Sequence, residues 1–209
     1  MTPQQRGPHK MLYNRKIAIM GYPCTGKSSI TLRFVSGTFP DAYEITIEDF
    51  QSKRYTYKGR EYDLRITDTA GQQEYSIFPR SCTLNIDGFI LVYAIDDRKS
   101  FEIIRTIHDK IVESVGENSP PIVVVGNKLD LQYSSRAISK EEGEALAKKW
   151  GAAFIELSAK DLSVARDGNV NSIFDRMILA IEVAKGNLEP NGQPVRPKGT
   201  SQGSGCSLQ

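Results

Sequence analysis

Short apolar runs alternate with helical patterns along this 209-residue chain, and this alternation constrains its fold more than any other feature. The apolar runs have the length of buried strands and lie at residues 16–20, 89–95, 122–125 and 154–157. Patterns with helical spacing follow them, at residues 29–35, 101–115, 139–150 and 170–181. Strands that alternate with helices build βαβ units, so we expect an α/β fold with helices on both faces of a mostly parallel sheet.

A β-hairpin adds an antiparallel strand to this expected sheet. Residues 49–57 alternate loosely, residues 62–66 alternate cleanly, and the turn signal Lys58-Gly59 lies between them. The two strands of a tight hairpin run antiparallel. The sequence therefore predicts six strands, of which one is an antiparallel edge strand.

Composition indicates one domain with two appendages. Residues 15–185 carry the apolar periodicity, residues 1–14 read as a flexible arm, and the polar residues 186–209 predict a disordered tail. The 27 basic and 25 acidic residues leave a net charge of +2, which argues against a nucleic-acid binder that relies on global charge. Three sparse cysteines favour a reducing compartment. No run reaches the ~20 apolar residues of a membrane helix.

A phosphate-binding motif lies between the first strand and the first helix. Residues 21–28 fit G-x-x-x-x-G-K-S/T, a pattern whose backbone N–H groups cradle phosphates at a helix N-terminus. Lys27 is expected between the outer phosphates, and the Ser28 hydroxyl is expected to bind Mg²⁺. Pro23 lacks an N–H and removes one donor from the cradle. The expected nucleotide contacts are Gly21, Cys24, Thr25, Gly26, Lys27, Ser28 and Ser29. The alternative is an ordinary turn with a surface lysine.

A second motif predicts that the nucleotide base is guanine. Asp130 ends the run Asn127-Lys128-Leu129-Asp130, and its carboxylate can accept hydrogen bonds from the N1–H and 2-amino group of guanine. Asn127 is expected to tie this segment to the phosphate loop, and the stem of Lys128 to cover the base. The segment Ser158-Ala159-Lys160 can offer a backbone N–H to guanine O6, and Phe39 is expected at the base edge.

The end of the hairpin carries a third group of candidate residues. Asp68 is expected to hold Mg²⁺ through a water, and the Gly71 N–H to bond the terminal phosphate. Gln72 can orient an attacking water. Thr46, in the loop before the hairpin, is expected to close onto Mg²⁺, although a lone loop threonine is more often simply solvated.

These motifs, in this order, resemble the Ras superfamily of small GTPases over residues 15–185. Within it they resemble the Rheb branch, chiefly through residues 68–79. The resemblance implies a P-loop G domain that hydrolyses GTP slowly, with Tyr43 implicated more than Gln72. This chain departs from the pattern at Pro23, at Ile45 and in the long segment 161–170.

The resemblance also implies partners. GTP would order the loops around Thr46 and Gly71, and hydrolysis would release them. The implied effector is the TOR kinase complex, and the implied GTPase-activating partner is the tuberous sclerosis complex, which supplies an asparagine. We expect a monomer. The implied effector surface comprises Tyr43, Glu44, Ile45, Thr46, Ile47, Glu48, Asp49 and Phe50.

The chain ends in a C-a-a-X box, Cys206-Ser207-Leu208-Gln209, whose final glutamine favours modification by farnesyltransferase. One lipid chain gives weak, reversible anchoring. We therefore expect transient association with the cytoplasmic face of endomembranes (lysosome, ER or Golgi) and a cytosolic pool. The alternative is that a cysteine occurs at this position by chance and is not a prenylation site.

Two other functions compete with a GTP-hydrolysing switch. Pro23 motivates a guanine-nucleotide-binding adaptor with negligible hydrolysis, because it removes a donor and crowds the terminal phosphate. A P-loop nucleoside or metabolite kinase would need a second substrate pocket and usually an arginine-rich lid, and the sequence contains no arginine-rich lid.

Overall fold

The computed structural model describes residues 11–39, 48–69, 71, 85–116, 119–164 and 168–195. Within these ranges the strands are β1 (Leu12–Gly21), β2 (Glu48–Tyr57), β3 (Arg60–Thr69), β4 (Gly88–Ala94), β5 (Ile122–Asn127) and β6 (Ala153–Glu156). The helices are α1 (Lys27–Ser36), α2 (Arg98–Val115), α3 (Lys140–Lys149) and α4 (Val170–Ala184). A short 3-10 helix spans Leu129–Leu131.

The six strands form one sheet in the order β2-β3-β1-β4-β5-β6. Only the β2–β3 hairpin at the edge is antiparallel, and the other neighbouring pairs are parallel. This confirms the expected sheet and its single antiparallel edge strand. Because the five other strands share one direction, their carboxyl ends lie at the same edge of the sheet, where open α/β sheets bind ligands.

Two apolar layers cover the sheet, one on each face. Alternate residues of β1 point to opposite faces, with Ile17 and Ile19 in one cluster and Ala18 and Met20 in the other. The first cluster includes residues of α1 and α4, where the rings of Phe34 and Phe174 stack 3.5 Å apart. The second includes residues of α2 and α3. Helices therefore cover both faces, as predicted.

Several elements begin earlier than the apolar pattern predicts. Strand β1 begins at Leu12, because residues 12–15 pair with residues 61–64 of β3 although they are mostly polar and partly exposed. Helix α2 begins at Arg98, because the carboxylate of Asp97 accepts hydrogen bonds from the Lys99 and Ser100 N–H groups. The predicted capping box of Ser139 and Glu142 is present at the start of α3.

The chain continues past α4 in an ordered segment, residues 186–195, which we call the C-terminal strap. Composition predicted disorder from residue 186, whereas Leu188 of the strap is buried and forms a β-bridge with Pro194. The Lys58 ammonium donates to the Asn191 carbonyl at 3.0 Å. Two contacts hold the strap: the bridge between its own residues and the hydrogen bond from the hairpin turn. A count of apolar residues does not reveal either contact.

Other sequence-based expectations fall outside the described residues. They concern residues 1–10 of the arm predicted at residues 1–14, whose residues 12–14 belong instead to β1 because they pair with β3. They also concern the final residues 196–209 with Cys206, and the candidate residues Tyr43, Glu44, Ile45, Thr46, Ile47 and Gln72. No helix in the described ranges combines the length and apolar character needed to cross a membrane.

Candidate nucleotide site

The phosphate loop leaves β1 at Gly21 and enters α1 at Lys27. A Cβ at Gly21 would lie 2.1 Å from the Val92 carbonyl oxygen of the neighbouring strand. Gly26 has a φ of 92°, and a Cβ there would lie 2.2 Å from the Asn127 amide nitrogen. Both positions therefore require glycine, one for the strand contact and one for the turn into the helix.

Lys27 is folded back over the phosphate loop and is largely buried. Its ammonium donates to the Tyr22 carbonyl at 3.0 Å, and the Thr25 hydroxyl donates to the same carbonyl at 2.9 Å. Burial lowers the pKa of Lys27 to about 8, although the charges of Asp68 and Cys24 act in the opposite direction. An anion bound in the loop would offset the free-energy cost of burying the charged ammonium, so the geometry suits a phosphate ligand.

Asp68 lies near the end of β3 and is buried. Burial raises the pKa of its carboxyl group, while the Ser28 hydroxyl and the Lys27 charge lower it. One carboxylate oxygen has no hydrogen-bond partner among the described residues. A buried carboxylate with an open coordination position beside a serine hydroxyl fits Mg²⁺, which prefers oxygen ligands. Ser28 and Asp68 are therefore the described residues that would hold this ion.

Gly71 follows β3 and lies against the phosphate loop. A Cβ at Gly71 would be 2.5 Å from the backbone nitrogen, Cα and Cγ of Pro23. The structure thus brings this expected phosphate contact to the loop. The other residues expected at the terminal phosphate, Tyr43, Thr46 and Gln72, lie outside the described ranges.

Asn127 joins the phosphate loop to the segment after β6. Its amide nitrogen donates to the Thr25 carbonyl at 2.8 Å, and its amide oxygen accepts from the Ala159 N–H at 3.0 Å. This is the link that the sequence predicted between the two motifs. Residues 158–160 were expected to offer one backbone N–H to guanine O6, and in this structure the N–H of Ala159 donates to Asn127.

Residues 158–160 form a turn, which we call the guanine loop, and Asp130 lies beside it. The Ser158 hydroxyl donates to the Asp130 carboxylate at 2.5 Å and accepts from the Lys160 and Asp161 N–H groups. Lys128 adopts a left-handed conformation with φ of 67°, and its ammonium lies 3.4 Å from the Asp96 carboxylate. The hydrogen bond from Ser158 orients the Asp130 carboxylate, which would read the base.

Arg33 of α1 holds residues 158–160 in place, and no sequence motif indicated this positioning role. Its guanidinium donates to the carbonyls of Ala159 and Lys160 and lies 5.6 Å from the ring centre of Phe39. Phe39 was predicted at the base edge, and it is partly buried against the α1 and α4 cluster. No local signal marks this role of Arg33, because its two partners in the guanine loop lie more than a hundred residues away.

Part of the expected effector surface begins the edge strand β2. Of its described members, Glu48 pairs with Thr69, and Asp49 accepts a hydrogen bond from Gln51 at 2.7 Å. The Phe50 side chain is 68% exposed, although it lies within a strand. Large exposed aromatic side chains on an edge strand suit contact with another protein.

Comparison with known proteins identifies the family of this fold and site. The model of the Ras family matches residues 16–183. The chain is 50% identical over 200 residues to GTP-binding protein Rheb homolog 1 of Caenorhabditis elegans, covering 93% of this chain and 94% of the relative. It is 50% identical over 173 residues to GTP-binding protein Rheb of Mus musculus and of Homo sapiens, covering 83% of this chain and 91% of each relative. The phosphate loop, the Asn127 link and this similarity agree, and the chain belongs to the Ras family of small GTPases.

Proposed function

We propose that this Ras-family GTPase is a guanine-nucleotide switch that signals to the TOR kinase complex from the cytoplasmic face of endomembranes. The observation that carries its nucleotide chemistry is Asp68, a buried carboxylate with an unpartnered oxygen beside Ser28 and Lys27. The Rheb relatives, similar along most of the chain, support a GTP-binding switch. The TOR effector is proposed from the resemblance of residues 68–79 to the Rheb branch.

The residues of the phosphate loop would bind the nucleotide in the following way. The backbone N–H groups of the loop and the first turn of α1 hold the phosphates, and Lys27 places its ammonium against the outer two. Mg²⁺, when bound, neutralises charge on the phosphate oxygens. Ser28 and Thr46 would hold this ion directly, and Asp68 would hold it through a water.

The guanine base would lie between Phe39, Lys128 and the guanine loop. Asp130, oriented by the Ser158 hydroxyl, accepts hydrogen bonds from the N1–H and the 2-amino group. Adenine offers no such pair of donors and would leave the carboxylate unpaired. The site therefore selects guanine nucleotides.

Hydrolysis is proposed to be slow without a partner. Gly71 would donate its N–H to the terminal phosphate, while Gln72 or Tyr43 positions the attacking water. The guanidinium of Arg33 is bonded to the guanine loop rather than directed at the phosphates, so it supplies no charge to the transition state. A GTPase-activating protein of the tuberous sclerosis complex type would supply the missing group.

Single-turnover hydrolysis distinguishes this switch from an adaptor with negligible hydrolysis. The protein should purify with GDP bound, and the activating protein should accelerate GTP cleavage by orders of magnitude. No cleavage with or without that protein would favour the adaptor. Family membership does not favour this alternative, because Ras-family proteins are GTPases.

Effector binding can be measured on the same preparation. The GTP-loaded protein should bind the TOR kinase complex more tightly than the GDP-loaded protein, because switch loops contact effectors in one nucleotide state. Phe50→Ala should weaken that binding while leaving nucleotide affinity unchanged, since Phe50 is exposed on β2. Equal binding of the two nucleotide forms would exclude a switch acting on this effector.

Membrane association is proposed to depend on farnesylation of Cys206. Cell fractionation should find the unaltered chain divided between endomembranes and cytosol, as one lipid chain gives reversible anchoring. The Cys206→Ser variant should be cytosolic. Membrane retention of that variant would contradict the lipid anchor.

A further inference from the structure

We propose that Arg33 is a positioning residue for guanine-nucleotide retention, which it achieves by holding the guanine loop and Phe39 against α1. The inference rests on the proposed position of the base between these two elements. It concerns how long a nucleotide stays bound, and it is independent of any effector or membrane.

One planar guanidinium connects two distant segments of the chain. Its Nε donates to the Ala159 carbonyl at 3.1 Å, and one terminal nitrogen donates to the Lys160 carbonyl at 3.2 Å. The other terminal nitrogen donates to the Gly37 carbonyl at 3.1 Å, at the end of α1. The rigid fork of arginine suits such multiple contacts better than the single ammonium of lysine.

The Ala159 residue is held from both sides. Its N–H donates to Asn127, and its carbonyl accepts from Arg33. Ala159 is buried, so neither backbone group can exchange its partner for bulk water without opening the loop. Arg33 and Asn127 therefore hold the guanine loop together, one through the carbonyl and the other through the N–H of Ala159.

The same guanidinium also supports Phe39. It lies 5.6 Å from the centre of the Phe39 ring, within the range of a cation–π contact. The two walls proposed for the base, Phe39 and the guanine loop, are thus joined through one side chain.

Arg33 lies on the helix that begins at the phosphate loop. Lys27 and Ser28 form the first turn of α1, and Arg33 lies nearer its end. The N-terminal end of α1 therefore carries residues that contact the phosphates, and its C-terminal end carries Arg33, which supports the residues around the base. Loss of Arg33 should loosen the base side only, because its described contacts include no residue of the phosphate loop.

The test measures release of a fluorescent ribose-labelled GDP from the full chain with Mg²⁺ and excess unlabelled GDP. Arg33→Ala should accelerate release about tenfold, the effect of losing charge-assisted hydrogen bonds. Arg33→Lys should accelerate it by only about threefold, because lysine keeps the charge and one contact. The matched control is Arg98→Ala, which removes comparable bonds to Ala137 and Glu142 beside α3.

Single-turnover GTP hydrolysis separates positioning from a general structural effect. In Arg33→Ala, the rate constant for hydrolysis of bound GTP should stay within about twofold of that of the unaltered chain, while GDP release is accelerated. Unchanged release in Arg33→Ala would overturn the proposal. So would an equal acceleration in Arg98→Ala, or a parallel loss of hydrolysis. Failure of the unaltered chain to bind labelled GDP would instead contradict the proposed site itself.

Discussion

Gly71 lies directly against Pro23, so the segment that follows β3 touches the phosphate loop. The nearest atoms to a Cβ at Gly71 would be the nitrogen, Cα and Cγ of Pro23, each at 2.5 Å. Two of these three are backbone atoms, which cannot rotate away as a flexible side chain can. Any side chain at residue 71 must therefore displace either this segment or the loop.

Gly71→Ala should reduce hydrolysis of bound GTP by at least about tenfold. The added methyl group would displace the loop and the expected donor to the terminal phosphate, and small misplacements at a reacting centre are costly. Single-turnover measurements with pre-loaded GTP test this without interference from nucleotide release. A rate equal to that of the unaltered chain would show that the contact is not maintained during hydrolysis.

A double-mutant cycle with Pro23→Gly tests the contact itself. Residues in direct contact have non-additive effects, whereas independent residues do not. Because Pro23→Gly removes Cγ and relaxes the loop backbone, it should recover part of the activity lost in Gly71→Ala. Strictly additive effects on the hydrolysis rate would mean that the two residues act separately.

Asn127→Asp should accelerate GDP release by about tenfold to a hundredfold. Aspartate keeps an acceptor for the Ala159 N–H but loses the donor to the buried Thr25 carbonyl, which costs about 1–3 kcal/mol when left unpaired. Release of labelled GDP measures this effect. If only the acceptor mattered, Asn127→Asp would release GDP as slowly as the unaltered chain, which would contradict a role for the Thr25 contact.

Guanine-nucleotide affinity should fall as the pH rises above about 8, because Lys27 of the nucleotide-free protein loses its proton there. Below this pH the ammonium is charged with or without nucleotide. Above it, bound phosphates keep the proton on Lys27, so binding takes up a proton and weakens by up to about tenfold per pH unit.

Titration of labelled GDP across this range measures the effect, with Lys27→Met as the control. The variant should bind GDP weakly at every pH, and its affinity should not show the decrease that depends on Lys27. Any change in affinity that comes from titration of the guanine base should remain. An identical pH profile in both proteins would assign the decrease to another group.

Glu182→Ala should destabilise the protein by about 3 kcal/mol, the cost of breaking a buried ion pair. The Glu182 carboxylate is fully buried, lies 2.6 Å from the Arg15 guanidinium, and accepts a hydrogen bond from Asn187 at the start of the strap. Urea unfolding at a fixed GDP concentration measures this change.

The exposed pair of Lys140 and Glu144 provides the comparison, since Glu144→Ala should change stability by less than about 0.5 kcal/mol. Glu182→Ala should also accelerate proteolysis within residues 186–195, because Asn187 loses its partner. Similar stability of the two variants would contradict the cost of breaking the ion pair, and unchanged proteolysis would show that the carboxylate does not hold the strap.

Much of the nucleotide site could be predicted from the sequence because its motifs are local. The spacing of Gly21 and Lys27 and the position of Asp130 after an apolar run indicate their chemistry without a structure. The strap could not be predicted in this way. Its polar composition indicates disorder, and only the contacts of Lys58 and Glu182 with it show that it lies against the domain.

The sequence by itself determined the order of strands and helices and the chemical groups offered to a guanine nucleotide, because periodicity and motif spacing are properties of neighbouring residues. The tertiary structure decided which distant groups meet. Arg33 reaches Ala159 across 126 residues, and Gly71 reaches Pro23, only because strand register and helix packing bring them to one edge of the sheet. Such contacts depend on the whole fold, and no short stretch of sequence contains them.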